Sequence, residues 1–152
     1  MKGKIHSINI STKKGIPKTP IEEAVLQENF GMAGDVHAGE QLKQVSLLSW
    51  EAIERQNNCP KIKSDKLKPG DFAENITTVG LDLSQLKIKD RIIINENIIL
   101  EISQIGKECH AYCSIYKKTG DCIMPREGIF ARVITGGQIK LGDELEVITC
   151  TK

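Results

Sequence analysis

Aromatic side chains are scarce in this chain: one Trp, two Tyr and three Phe among 152 residues. Stacking platforms for nucleic-acid bases are therefore not on offer. An excess of one charge is also missing, since 21 Lys and Arg face 20 Asp and Glu for a net charge of +1. That removes the electrostatic case for nucleic acid or an anionic membrane as partner. No apolar run approaches the roughly 20 residues a membrane helix needs. The opening MKGKIHSINIST has no apolar stretch of signal-peptide length. A phosphate-cradling Gly-x-x-x-x-Gly-Lys loop, a dinucleotide fingerprint and a Ser-His-Asp arrangement are all absent, which weakens nucleotide, dehydrogenase and hydrolase readings.

What remains is an ordinary globular composition, with 39% hydrophobic and 27% charged residues. The length fits one domain, 1–152, able to bury its own core. A cytoplasmic protein with reduced thiols is expected, and the odd count of five cysteines argues against complete pairing.

Along the chain, the partly alternating Lys2–Ile10 reads as a first strand. Gly15, Pro17 and Pro20 make 11–20 a loop. A second strand is expected over 21–29, an irregular glycine-rich loop over 30–40, and a buried strand over 44–48. A helix then runs over 49–58, with Ser49 as N-cap, Trp50 and Ile53 as its apolar stripe, and Pro60 as its stop. The charged segment 61–68 reads as surface. Pro69-Gly70-Asp71 turns into a strand over 72–78, and 80–86 forms a further turn. Arg91–Ile94 and Ile98–Ile105 form a hairpin through Asn95-Glu96-Asn97. Helical character over 110–118 ends at Gly120. A second hairpin is expected between 129–134 and Glu144–Ile148 across the turn Thr135-Gly136-Gly137-Gln138. LKIKDRIII (86–94) echoes IKLGDELEV (139–147), either as two ordinary turn-to-strand junctions or as a pseudo-repeat of barrel strands. Many short strands with few helices predict a mainly-β barrel with a few short helices. A wound βαβ sheet is disfavoured because long amphipathic helices are missing.

The densest chemistry is GKECHAYCSIYKKTGDCIMPREGIFAR (106–132), which holds Cys109, Cys113 and Cys122 with His110 beside the first. The spacing lacks the paired Cys-x-x-Cys of zinc ribbons, so a zinc site built on these three cysteines and His110 ranks last. Cys109 follows a predicted strand and stands near Lys107 and a predicted helix N-terminus, both of which depress a thiol pKa. It is the best candidate nucleophile or metal ligand. Cys113 and Cys122 read as small buried hydrophobes with a resolving role still open, and Cys59 and Cys150 as incidental. In GDVHAG (34–39), glycines flank Asp35 and His37, either as a loop approaching a ligand or as a plain Asx turn. Arg126 could clamp a phosphate or pterin oxygen, or pair with Glu127.

Taken in order, FGMAGDVHAG (30–39), QVSLLSWEAI (44–53), PGDFAENITTVGLDL (69–83), LEISQIGKECH (100–110), GDCIMPREGIFARV (120–133) and IKLGDELEV (139–147) resemble the MOSC family. The family is named for the C-terminal domain of molybdenum cofactor sulfurase. The resemblance covers nearly the whole chain and is closest to small stand-alone members. It implies a MOSC-type β-barrel handling molybdenum cofactor (molybdopterin), with Cys109 as molybdenum ligand or persulfide sulfur carrier. It also implies that Asp35, His37 and Asn75 lie near that pocket. Lys107, His110, Arg126, Arg132 and Lys43 complete the candidates for holding the cofactor and neutralising its phosphate. The expected partners are molybdopterin or its biosynthesis proteins and a cysteine desulfurase as sulfur donor. Sulfur transfer or a molybdenum-dependent reduction would be the activity. A non-catalytic module that delivers cofactor to a molybdoenzyme is the alternative.

Overall fold

The computed structural model describes residues 1–14, 16–39, 41–57, 67–106 and 127–149. Its strands are β1 (Lys2–Ile10), β2 (Thr19–Ile21), β3 (Glu23–Gln27), β4 (Gly31–Met32), β5 (Val45–Ser49), β6 (Ile76–Val79), β7 (Arg91–Ile94), β8 (Ile98–Ile105), β9 (Ile129–Thr135), β10 (Gly137–Lys140) and β11 (Glu144–Ile148). One α-helix, α1 (Trp50–Asn57), and a 3-10 turn at Leu83–Gln85 complete the described elements.

The main sheet runs β11-β7-β8-β9-β5-β6-β1-β2, and β11 also pairs with β1, so seven strands close into a barrel. Closure depends on the length of β1. One edge of it takes β6, while the other takes β11 at Lys2–Lys4 and β2 at Ile8–Ile10. Only β5 and β6 run parallel among the barrel pairs, and α1 lies in the connection between them. A small sheet, β10-β3-β4, stands beside the barrel.

The expected mainly-β barrel is therefore the fold. The first strand, the hairpin β7–β8 and the start of α1 also match the sequence. Ser49 caps the helix, its Oγ accepting from the amide of Ala52 at 3.1 Å. The second expected hairpin is not formed. β9 pairs with β5 and β8, whereas β11 pairs with β1 and β7, so the last strand closes the barrel instead of folding back on its predecessor. β10, which starts inside the expected turn, pairs with β3. The strand expected over 72–78 begins only at Ile76, and Leu67, at the end of the segment read as surface, is 2% exposed. The expected helix over 110–118 lies outside the described residues.

Alternation along the strands builds two apolar layers. Inward side chains such as Ile5, Ile8, Leu47, Ile76, Leu100, Ala131 and Leu145 fill the barrel. Leu48 and Phe130, from the opposite face of the wall, pack with Ala52, Ile53, Leu67 and Phe72 into a second core under α1.

The echo between 86–94 and 139–147 is a real structural repeat, and a third copy accompanies it. Leu67-Lys68-Pro69-Gly70-Asp71, Leu86-Lys87-Ile88-Lys89-Asp90 and Ile139-Lys140-Leu141-Gly142-Asp143 each bury the first residue. In each, the Asp carboxylate accepts from the Lys amide, at 3.0, 2.9 and 2.8 Å. The residue before the Asp has positive φ in all three: Gly70 90°, Lys89 79° and Gly142 84°. In the second and third copies the turn also docks on a strand. Lys89 donates to the Ile102 carbonyl and Ile102 to that of Asp90, as Gly142 and Asp143 do with Ile5.

Candidate functional site

The glycine-rich loop after β4 carries Asp35 inward. Its carboxylate is fully buried and accepts from the Ser11 amide at 3.0 Å, Lys18 Nζ at 2.7 Å and the His37 amide at 3.1 Å. The bond to His37, two residues on, is the Asx turn foreseen as the plain alternative. Here it also serves a buried ion pair. Burial works to raise the Asp35 pKa, but hydrogen bonds from His37, Lys18 and Asn75 and the Lys18 charge outweigh it. The carboxyl is held well below the usual range.

Lys18 was not among the residues singled out from sequence. Its side chain is completely buried, and its ammonium also sits 3.0 Å from His37 Nδ1. Gly70 makes the seat for it. The Lys18 amide donates to the Gly70 carbonyl at 2.7 Å, and a Cβ on Gly70 would lie 2.3 Å from the Lys18 carbonyl oxygen.

Asn75 ties three strands together at the start of β6. Its Oδ1 accepts from the Ser46 amide at 3.0 Å and from Ser46 Oγ at 3.2 Å, while Nδ2 donates to the Asn9 carbonyl at 3.3 Å. Beside it, Glu74 is completely buried. Its Oε2 accepts from Thr77 Oγ1 at 2.7 Å, but Oε1 has no hydrogen-bond partner among the described residues. Burial dominates here, and bonds from Thr77 and the amides of Gly70, Glu74 and Phe72 only partly offset it. The Glu74 pKa is raised from 4.5 to about 7.

The structure thus gathers Asp35, His37 and Asn75 into one polar cluster at the N-terminal end of β6. Arg132 is engaged elsewhere: it pairs with Glu101 at 3.1 Å, and Glu101 also holds Arg91. Lys43 Nζ stands 6.0 Å from the centre of the Phe130 ring. Lys107, Cys109, His110 and Arg126, with Cys59, Cys113, Cys122 and Cys150, lie outside the described residues.

The two ends of the cysteine-bearing segment are nonetheless fixed. The Gly106 amide donates to the Gly128 carbonyl at 2.7 Å, so the residues that bracket that segment lie side by side. That place borders a cleft of about 550 Å³ lined by Ser49, Glu51, Arg55, the 80–84 turn, Ile105, Glu127 and Ile129. The volume is that of a small-molecule site. Arg55 pairs with Glu127, and Glu51 accepts from the Gly80 amide at 2.9 Å. The cleft adjoins the C-terminal end of β6, and the polar cluster adjoins its N-terminal end. Among the described residues no group of three or more His, Cys, Asp and Glu is arranged to hold a metal ion. No helix among them is long and apolar enough to cross a membrane.

The fold has close counterparts among solved structures. The YuaD protein of Bacillus subtilis superimposes with a TM-score of 0.79 at 19% identity, over 99% of this chain and 98% of its own. YiiM of Escherichia coli gives 0.71 at 18% identity, over 99% and 71%. YiiM of Geobacillus stearothermophilus gives 0.71 at 20% identity, over 96% and 75%. At such identities the likeness concerns the fold alone. No curated protein matches the sequence. A family model described as the MOSC domain, however, matches residues 33–146, a span that holds Asp35, His37, Asn75, Cys109 and Arg132. The chain belongs to the MOSC domain family, whose members are associated in general with the molybdenum cofactor.

Proposed function

We propose that this protein handles molybdenum cofactor, with Cys109 as the molybdenum ligand or the carrier of a persulfide. The observation that carries the reading is the gathering of Asp35 and His37 from one loop with Asn75, some 40 positions on, into one polar cluster within the family-matched span that also holds Cys109. Both roles of Cys109 need a thiolate, because soft sulfur suits molybdenum and sulfane sulfur alike.

The described residues fit part of such a cofactor. Around the cleft, Glu51, Asp82, Glu127 and the hydroxyls of Ser49 and Ser84 supply acceptors for the N–H edge of a pterin. The phosphate end needs cations, for which Arg55 in the cleft and Lys107 and Arg126 in the sequence are the candidates. When bound, the molybdenum centre supplies oxygen- or sulfur-transfer chemistry. This chain supplies a thiolate and orienting hydrogen bonds, with water kept from Asp35 and Lys18.

The test is purification of the full chain with molybdopterin and, separately, its incubation with a cysteine desulfurase and cysteine as sulfane-sulfur source, comparing wild type with Cys109→Ala. The variant should lose cofactor retention or persulfide loading at least tenfold. Equal retention and equal loading in both proteins would sink the proposal.

A further inference from the structure

We infer that Lys18 is a positioning residue that fixes His37 as its Nε2–H tautomer, so that the ring gives the site one oriented donor for an anionic oxygen. This rests on reading the Asp35–His37–Asn75 cluster as part of the working site. The ammonium of Lys18 has donors only, and it lies 2.7 Å from Asp35 Oδ1 with both side chains wholly buried. A neutral Lys18 would leave that buried carboxylate without its counter-charge. The nitrogen 3.0 Å away, His37 Nδ1, must then be the acceptor. A proton on Nδ1 would point at the Lys18 N–H groups, and Asp35 Oδ2, at 3.7 Å, is out of reach to accept it. The ring proton belongs on Nε2.

Two chemical consequences follow. With a cation against Nδ1, ring electron density is drawn to that edge and Nε2–H becomes the stronger donor. The same hydrogen bond occupies Nδ1, so His37 is a donor to phosphate or oxo oxygen and not a metal ligand. Its side chain is 24% exposed, while Lys18 and Asp35 are sealed, so the ring is the only part of the trio that reaches outward.

The experiment is nitrogen-15 NMR of the imidazole rings in the uniformly labelled full chain, with His37→Gln to identify the signal. His6, whose exposed ring stacks on Trp50 with centroids 4.9 Å apart, is the internal comparison. Wild-type His37 should show a fixed Nε2–H pattern, and added inorganic phosphate should shift that N–H signal. Lys18→Met should convert His37 to an averaged pattern, and Lys18→Arg should restore it. An Nδ1–H or averaged pattern in the wild type overturns the inference, as does an Nε2–H signal that phosphate leaves unmoved. Should Lys18→Met fail to fold, the wild-type spectrum still decides. A fixed, phosphate-responsive Nε2–H alongside Cys109-independent cofactor handling would keep this inference and remove the function proposed above; the opposite pair of results would do the reverse.

Discussion

At the scale of single residues, the thrice-used turn shows how little sequence is needed to fix a turn, and two of its copies lead straight into a strand, β7 after Asp90 and β11 after Asp143. A buried apolar residue, a Lys whose amide is capped, and an Asp that caps it recur at Leu67, Leu86 and Ile139. Two copies put glycine at the position of positive φ, but the middle one puts Lys89 there, at 79°. An L-residue in the left-handed region costs roughly 1–2 kcal/mol, which the greater chain entropy of glycine in the unfolded state partly offsets. Lys89→Gly should therefore raise stability by about 0.5–1 kcal/mol. A higher urea midpoint with unchanged slope would show it, and an unchanged or lower midpoint would contradict the strain argument. Other residues kept their roles hidden in the sequence. Lys18 stands in a loop of Lys, Gly and Pro, where a cation reads as solvated. Its burial is decided by Asp35, 17 positions away. The Asp35 and His37 motif was legible because glycines bracket it.

At the scale of elements, α1 was legible from local signals alone: a capping Ser49, the apolar Trp50 and Ile53, and Pro60 beyond the end. It survives through docking, since an isolated eight-residue helix is unstable in water. Ala52 and Ile53 press it onto Leu48 and Phe130 on the outer face of the wall and onto Phe72 from the 67–75 segment. Ile53, wholly buried, is the side chain that decides this contact. Ile53→Ala should cost about 2–5 kcal/mol through lost burial and the cavity left behind. A urea midpoint within error of wild type would show that α1 contributes no docking energy. The misread element is equally instructive. Two strands separated by a glycine turn look like a hairpin when only neighbours are weighed. Here β10 is drawn away to pair with β3, and β11 is needed by β1 to close the barrel. Closure is a property of β1, whose Lys2–Lys4 pair with Glu144–Glu146 at the other end of the chain, and no local pattern encodes it.

At the scale of the whole molecule, two buried carboxyls give the stability curve opposite slopes in separate pH windows. Asp35 is depressed by Lys18, His37 and Asn75 despite its burial, so its contribution is present above the unfolded value of 3.8 and is lost as pH falls below it. Glu74 behaves in the reverse sense. Its folded pKa is raised from 4.5 to about 7, so the native state binds the extra proton across that interval. Its contribution is complete below 4.5 and disappears as pH rises through 7. An interval of this width corresponds to about 3 kcal/mol. The charge has nowhere to go: Thr77, Asn9 and Ser7 form a hydrogen-bonded chain behind Oε2, while Leu67 and Phe72 anchor the 67–75 turn in the apolar core under α1. Urea unfolding of wild type should accordingly show lower stability at pH 8 than at pH 5, and Glu74→Gln should flatten that difference while leaving the acid limb below pH 4 unchanged. Measuring the difference between the two proteins isolates Glu74 from every other group titrating in the window. Parallel pH profiles for wild type and Glu74→Gln between pH 5 and 8 would mean that the carboxyl is ionised throughout, and that the 67–75 turn opens to let water reach it.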